Sequence, residues 1–392
     1  YAFLLDALQA ERDQGITIDT TQVLFTSRKR PYLIIDAPGH KEFLKNMISG
    51  AAQADAGVIV IDVKEGIREQ SYRHCYLLRM LGLKAVIVVI NKMDLIDYSQ
   101  KKFNTLKQQI IDYLSGIDLH CNSIVPIAAR DGQGLVEPSS KMPWYSGPTF
   151  IETLDNIPQP NSPNELPTRL PIQDIYKFDE RRIIAGRIES GTLKINDTLL
   201  FSPSNKRAAV ASFETWNTKE KKTKAMAGES VAIVLDEEIF IERGHVASLA
   251  HNAPIETNVF RGKVFWVGEK PMNTGDRLKM KIGTAEHAVE IEAVESIIDV
   301  SNLKTTNSDL IERNDIGEAI FRTKSTIALD SFETNHRTGR FVLIDGYETV
   351  GGGVVSMHGY PDQRGLYDVT SRNIVAVSSR IDSDARSVIN GH

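Results

Sequence analysis

Apolar positions in the first 155 residues fall into short continuous runs separated by stretches of helical spacing. Tyr32-Leu33-Ile34-Ile35 and Ala85-Val86-Ile87-Val88-Val89-Ile90 are unbroken apolar runs, the pattern of strands buried on both faces of a parallel sheet. Further strands are expected near 22–27, 57–62 and 123–127, and helices near 41–54, 68–81, 100–115 and 148–156. Such alternation predicts an α/β domain over 1–155, a mostly parallel sheet with helices on both faces and right-handed crossovers. The segments 22–27 and 31–35, separated only by Arg28-Lys29-Arg30, predict an antiparallel edge hairpin.

A proline-rich linker follows over residues 156–166, with Pro158, Pro160 and Pro163. Beyond it the pattern changes to many short strands, among them Leu170–Tyr176 and Arg182–Ile188, punctuated by Gly and Asn turns and without a long helix. This predicts two antiparallel β-barrels, over 167–255 and 256–362, divided at the turn chemistry of Ala253-Pro254-Ile255-Glu256. Residues 363–392 are polar and weakly patterned and read as a C-terminal connector or a short tail.

At 392 residues the chain is too long for one ordinary core, in keeping with this division. A charged fraction of 25% and a hydrophobic fraction of 41% are those of a water-soluble globular protein. The net charge of −5 gives no reason to expect a nucleic-acid surface. Cys75 and Cys121 are too few for a disulfide framework or a zinc site. No apolar run is long enough for a membrane span, and a cytoplasmic location is expected.

Two loops carry the candidate chemistry. Asp36-Ala37-Pro38-Gly39-His40 and Asn91-Lys92-Met93-Asp94 each follow an apolar strand, and ligands of open α/β sheets sit at such strand ends. Asp36 is a carboxylate suited to magnesium, directly or through water, while Pro38-Gly39 lets bare backbone approach a phosphate. His40 is placed to orient an attacking water. In the second loop, Asp94 can accept two N–H bonds from the edge of guanine, a pair that adenine does not offer. Asn91 can brace the loops, and the Lys92 stem can lie along the base. Either motif alone arises by chance, but the two in order at strand ends predict a guanine-nucleotide site.

Ala10-Glu11-Arg12-Asp13-Gln14-Gly15-Ile16-Thr17-Ile18-Asp19, the D-A-P-G-H loop, Phe43-Leu44-Lys45-Asn46-Met47 and N-K-M-D together resemble the translational GTPase superfamily. Arg73–Leu83, Asn91–Tyr98, Thr338–Asp345 and Thr349–Gly353 resemble, within it, the GTPase subunit family of sulfate adenylyltransferases. The resemblance implies a P-loop GTPase domain followed by two barrels, with GTP and Mg2+ as cofactors. It makes Thr17 and Asp36 magnesium ligands and His40 the catalytic group. It also sets Ala128, Ala129 and Arg130 beneath the guanine, with the Ala129 N–H directed to the base oxygen. The implied reaction is formation of adenosine 5′-phosphosulfate from ATP and sulfate, driven by GTP hydrolysis and performed with a small catalytic subunit. An adenylyl-sulfate kinase domain beyond His392 would fit bifunctional relatives. The competing expectation is an elongation-factor-like GTPase that binds aminoacyl-tRNA.

Three departures stand out. The phosphate-cradling G-x-x-x-x-G-K-[ST] motif does not occur in the sequence, which reads as an N-terminally shortened piece or, alternatively, as a true loss of the loop. Gln14 stands where related elongation factors usually carry arginine, and Ala128 cannot supply the hydroxyl usual beneath the base.

Overall fold

The computed structural model describes residues 11, 17–52, 54–83, 85–158, 162–177, 181–215 and 221–366. Gln14-Gly15-Ile16, linker residues 159–161 and most of the expected connector, residues 367–392, lie outside that set.

The chain opens with the strands β1 (Thr21–Thr26) and β2 (Pro31–Asp36), an antiparallel hairpin in which Phe25 and Tyr32 are register partners. Next come α1 (Leu44–Ala51), β3 (Ala56–Asp62), α2 (Glu69–Met80), β4 (Ala85–Asn91), α3 (Gln100–Gly116), β5 (Cys121–Pro126) and α4 (Phe150–Asp155). Strands β3, β4 and β5 form a parallel sheet with β4 in the centre. The apolar run of β4 serves both faces. Val86, Val88 and Ile90 pack with Phe103, Leu106, Ile110 and Leu114 of α3, whose spacing sets one apolar stripe. Ile87 and Val89 pack on the opposite face with Phe150 and Leu154 of α4. Burying each such side chain contributes on the order of 1.5–3 kcal/mol.

Helix α4 starts at a reciprocal cap: Thr149 Oγ1 accepts the Glu152 N–H at 3.3 Å, and Glu152 Oε2 accepts the Thr149 N–H at 2.8 Å. Its end anchors the hairpin, because Asp155 Oδ1 accepts from Ser27 Oγ (2.6 Å) and Tyr32 Oη (2.5 Å).

The parallel sheet is narrower than the alternation predicts. Among the described strands, β2 pairs only with β1, and β3 only with β4. A cavity of about 350 Å³, lined partly by Ile35, Asp36, Gly57, Val58 and Val60, lies between them. Leu33 (53%), Ile34 (43%), Val58 (40%) and Val60 (61%) therefore stay exposed although their runs look like buried strands.

The first barrel closes in the order β10 (Lys206–Phe213), β12 (Ser230–Leu235), β7 (Arg182–Arg187), β6 (Leu170–Lys177), β13 (Val246–Leu249), β9 (Thr198–Ser202). A ribbon of β8 (Thr192–Lys194) and β11 (Lys224–Met226) flanks it. In the second barrel, β16 (Arg277–Ile282), β21 (Arg340–Asp345), β22 (Glu348–Ser356), β14 (Ile255–Trp266), β20 (Ile316–Leu329) and β17 (Ala285–Ile298) are joined in a ring by the β16–β17 pairing, with β18 (Thr305–Asn307) added at β17 and β15 (Met272–Asn273) paired with β19 (Leu310–Ile311). Its centre is an aromatic cluster of Phe260, Phe321 and Phe341, with ring centroids 5.2–5.6 Å apart. The Gly351-Gly352-Gly353 stretch accommodates it: a Cβ on Gly353 would lie 2.6 Å from Phe341 Cζ and 2.4 Å from the Lys263 carbonyl.

The parallel-sheet domain rests on the second barrel. Leu44, Met47, Leu77 and Met80 share one buried cluster with Phe265, Val300, Ile316, Phe332 and Val354. Tyr113 Oη donates to the Val300 carbonyl at 2.7 Å, and Arg340 donates to the carbonyls of Ala52 and Leu81. No helix among the described residues is long and apolar enough to cross a membrane.

Candidate nucleotide site

The candidate loops converge at the carboxyl ends of β3, β4 and β5, with the Asp36 loop at the end of β2. Asn91 ends β4, and its Oδ1 accepts the N–H groups of Lys92 (2.7 Å) and Ala129 (3.1 Å). One amide thus ties the loop after β4 to the loop after β5. The Ala129 N–H, expected to reach a base oxygen, is donated to Asn91 in this arrangement. Ala128 is fully buried and exchanges backbone hydrogen bonds with Gln133, while Arg130 is exposed.

Lys92 takes the left-handed backbone conformation, φ 63°. For a residue with a Cβ this costs roughly 1 kcal/mol or more, and the neighbouring bonds hold it. Met93 is fully buried and donates its N–H to the Ile127 carbonyl at 3.1 Å. The resulting turn starts a short 3-10 helix, Met93–Ile96, on which Asp94 sits half-buried.

A side chain outside the two motifs enters here. Asp62, at the end of β3, is the register partner of Asn91, and its Oδ2 lies 2.8 Å from Lys92 Nζ. Its Oδ1 accepts the N–H groups of Lys64 (2.7 Å) and Glu65 (3.3 Å). Burial pushes the Asp62 carboxyl up, but the bonds from Lys92 and the two N–H groups outweigh it and leave the carboxyl below its usual range. The bond to Asp62 in turn raises Lys92. The only sequence signal for Asp62 is its position, an acid ending an apolar strand as Asp36 does.

On the phosphate side, Asp36 is half-buried at the end of β2, Pro38 is buried, and Gly39 and His40 are exposed. His40 is turned towards the following 3-10 turn: its Nδ1 accepts the Glu42 N–H at 3.4 Å and lies 3.7 Å from Glu42 Oε2. In this position His40 acts as a cap. Thr17 begins a segment laid over α1, where Asn46 Nδ2 donates to the Ile18 carbonyl (2.8 Å) and Thr20 Oγ1 to the Asn46 carbonyl (3.1 Å). Behind Gly39 stands His74 of α2, whose Cε1 would lie 3.7 Å from a Cβ at position 39. His74 Nε2 is buried without a hydrogen-bond partner, and burial, with the nearby Arg73 charge, lowers its pKa to about 4.

Asp36, half-buried at the end of β2, is the carboxylate that could take part in holding a magnesium carried on a nucleotide. Among the described residues no three His, Cys, Asp or Glu side chains cluster as a metal cage. Magnesium carried on a nucleotide needs only one or two protein oxygens, because phosphates and waters complete its shell. The carboxylate of Asp94 and the exposed backbone at Gly39 offer complementary groups to a base edge and to phosphate oxygens.

The family model described as the elongation factor Tu GTP binding domain matches residues 2–226, and that of the GTP-eEF1A C-terminal domain matches residues 259–356. Sulfate adenylyltransferase subunit 1 of Vibrio campbellii is 34% identical over 375 residues, covering 94% of this chain and 78% of that protein. The protein of the same name from Vibrio atlanticus is 36% identical over 361 residues, covering 90% and 75%. A solved structure described as sup35 complexed with GDP overlays at 24% identity with a TM-score of 0.46, over 85% of this chain and 83% of that one. With an elongation factor Tu GTP-binding domain and this identity over nine-tenths of its length, the chain belongs to the family of sulfate adenylyltransferase subunit 1.

Proposed function

We propose that this chain is the GTP-binding and GTP-hydrolysing subunit of a sulfate adenylyltransferase. It couples GTP hydrolysis to the formation of adenosine 5′-phosphosulfate and pyrophosphate from ATP and sulfate. The observation that carries the reading is the pair of loops, Asp36–His40 and Asn91–Asp94, at strand ends of a chain whose relatives bear that enzyme's name. The aminoacyl-tRNA alternative is less supported: the elongation-factor domain models fit both readings, and the relatives named above favour the sulfate enzyme.

In this reading Asp94 accepts from the guanine edge, Asn91 braces the loops after β4 and β5, and the Lys92 stem covers the base. Ala128, Ala129 and Arg130 line the base pocket. Thr17 and Asp36 hold Mg2+, which neutralises charge on the phosphates when bound. Gly39 offers its N–H to the terminal phosphate. His40 orients water after rotating away from Glu42, where it now caps a turn. The domain limits 1–155, 167–255 and 256–362 belong to the same proposal, supported by the strand ranges above.

Formation of the phosphosulfate is uphill, so a conformational element must couple the two reactions. The segments at Thr17 and Gly39 are the natural candidates. The adenylyl-transfer site is assigned to a small catalytic subunit, and the complex to the cytoplasm, where both nucleotides are available. A kinase domain joined beyond His392 would show as phosphorylation of adenylyl sulfate by the full-length protein.

The test is reconstitution. Full-length protein with the small subunit, ATP, Mg2+ and labelled sulfate should form phosphosulfate at a rate that rises with GTP and not with a non-hydrolysable analogue. Formation indifferent to GTP, or co-purification of tRNA in place of a small subunit, would overturn the reading.

A further inference from the structure

The Asp62–Lys92 contact joins two elements that the sequence motifs keep apart. Asp62 and Asn91 are register partners at the carboxyl ends of neighbouring parallel strands, so the Lys92 side chain crosses from the end of β4 to the end of β3. The Asp62 side chain is 17% exposed and that of Lys92 54% exposed, so the pair lies at the surface beside the turn that carries Asp94. A free lysine at such a position holds about 2 kcal/mol of rotamer entropy, which a ligand resting on its stem would have to remove. The backbone at Lys92 is held in the left-handed region, and the carboxylate fixes the far end of its side chain.

We propose that Asp62 is a positioning residue for guanine-nucleotide binding: by holding the Lys92 ammonium, it pre-orders the lysine stem as the surface on which the base is laid. The proposal rests on the guanine-binding reading above. Asp62 touches no nucleotide in this scheme and acts only through Lys92. Its two oxygens divide the work, Oδ1 shaping the turn to Lys64 and Glu65 and Oδ2 anchoring the lysine. The bond from Lys92 acts with those from the Lys64 and Glu65 N–H groups to hold the Asp62 carboxyl below its usual range despite its burial.

This division supplies the test. Asp62→Asn keeps a carbonyl oxygen for the Lys64 and Glu65 N–H groups and replaces the anchoring oxygen with an NH2 that cannot accept from lysine. In the full-length protein, GTP affinity should fall about five-fold, the scale of a partly exposed ion pair. Lys92→Met, which keeps the stem but frees its end, should lose a similar factor. The double variant should lose no more than either single one, because both remove one interaction. Losses that multiply in the double variant, or unchanged GTP affinity in Asp62→Asn, would overturn the proposal. Should Asp62→Asn fail to fold, Lys92→Met carries the test by itself: unchanged affinity in it overturns the proposal as well. A full-length protein without preference for GTP over ATP would overturn the guanine-binding reading itself, an outcome distinct from a selective protein indifferent to these substitutions.

Discussion

Arg169 and Asp330 form a two-pronged ion pair that locks the two barrels together. Arg169 Nε donates to Asp330 Oδ2 at 2.8 Å and Arg169 Nη2 donates to Oδ1 at 2.7 Å, with both residues almost fully buried. The remaining groups are satisfied: Arg169 Nη1 donates to the Asn252 carbonyl at 2.6 Å, and Thr338 Oγ1 donates to Asp330 Oδ2 at 2.5 Å. Asn335 Nδ2 adds a buried bond to Ser190 Oγ at 2.8 Å. Asp330→Ala would strand a buried guanidinium, at a cost of about 3–5 kcal/mol. Urea unfolding should show that loss. An apolar replacement of both partners, Arg169→Met with Asp330→Leu, should recover much of it.

Base selectivity should follow Asp94. Asp94→Asn exchanges an acceptor for a donor and should move preference from GTP towards XTP by about 10- to 100-fold, the scale of a hydrogen bond to a charged group. Competition binding with the two nucleotides measures this. An unchanged ratio would remove Asp94 from the base-reading role.

His40 should act on turnover rather than on binding. His40→Ala should lower GTP hydrolysis by about 10²-fold while leaving GTP affinity nearly intact. Single-turnover hydrolysis and equilibrium binding, measured together, separate the two. Parallel losses would mean that His40 only caps the turn at Glu42, the position in which the structure shows it.

Acid should weaken the fold through His74. Its folded pKa of about 4 lies below the unfolded value near 6.5, so the unfolded chain takes up a proton first as pH falls. The neutral side chain carries no penalty above about pH 6.5. Stability then declines between pH 6.5 and 4, by about 2 kcal/mol at pH 5. Comparing unfolding midpoints at pH 7.5 and pH 5 should show a smaller difference in His74→Gln than in the parent chain.

What was legible in the sequence were features with local patterns. The run Ala85–Ile90 gave away a central strand because both of its faces are apolar, and the Asn91–Asp94 loop followed from the same run. The barrels were legible from turn chemistry at close spacing. The β1–β2 hairpin was legible too, as two short runs separated only by Arg28-Lys29-Arg30; what the run Tyr32–Ile35 does not announce is that, among the described strands, β2 and β3 stay unpaired with each other. Arg169 and Asp330 lie 161 positions apart, and neither belongs to a motif. Asp62 escaped notice because one acid at a strand end carries no pattern, and only the neighbouring strand reveals its partner.

The unequal closure of the sheets also decides how this chain meets other chains. Closing each barrel into a ring removes the free edges of its six strands, and on the second sheet only the short strand Thr305–Asn307 keeps an edge among the described strands. Strands β2 and β3 also keep edges: each has a side without a partner among the described strands, next to exposed Leu33, Ile34, Val58 and Val60. Unpaired backbone beside apolar side chains recruits further strands, and association then rises with concentration. Judged by the described strands, association would therefore start at the parallel-sheet domain rather than at the barrels.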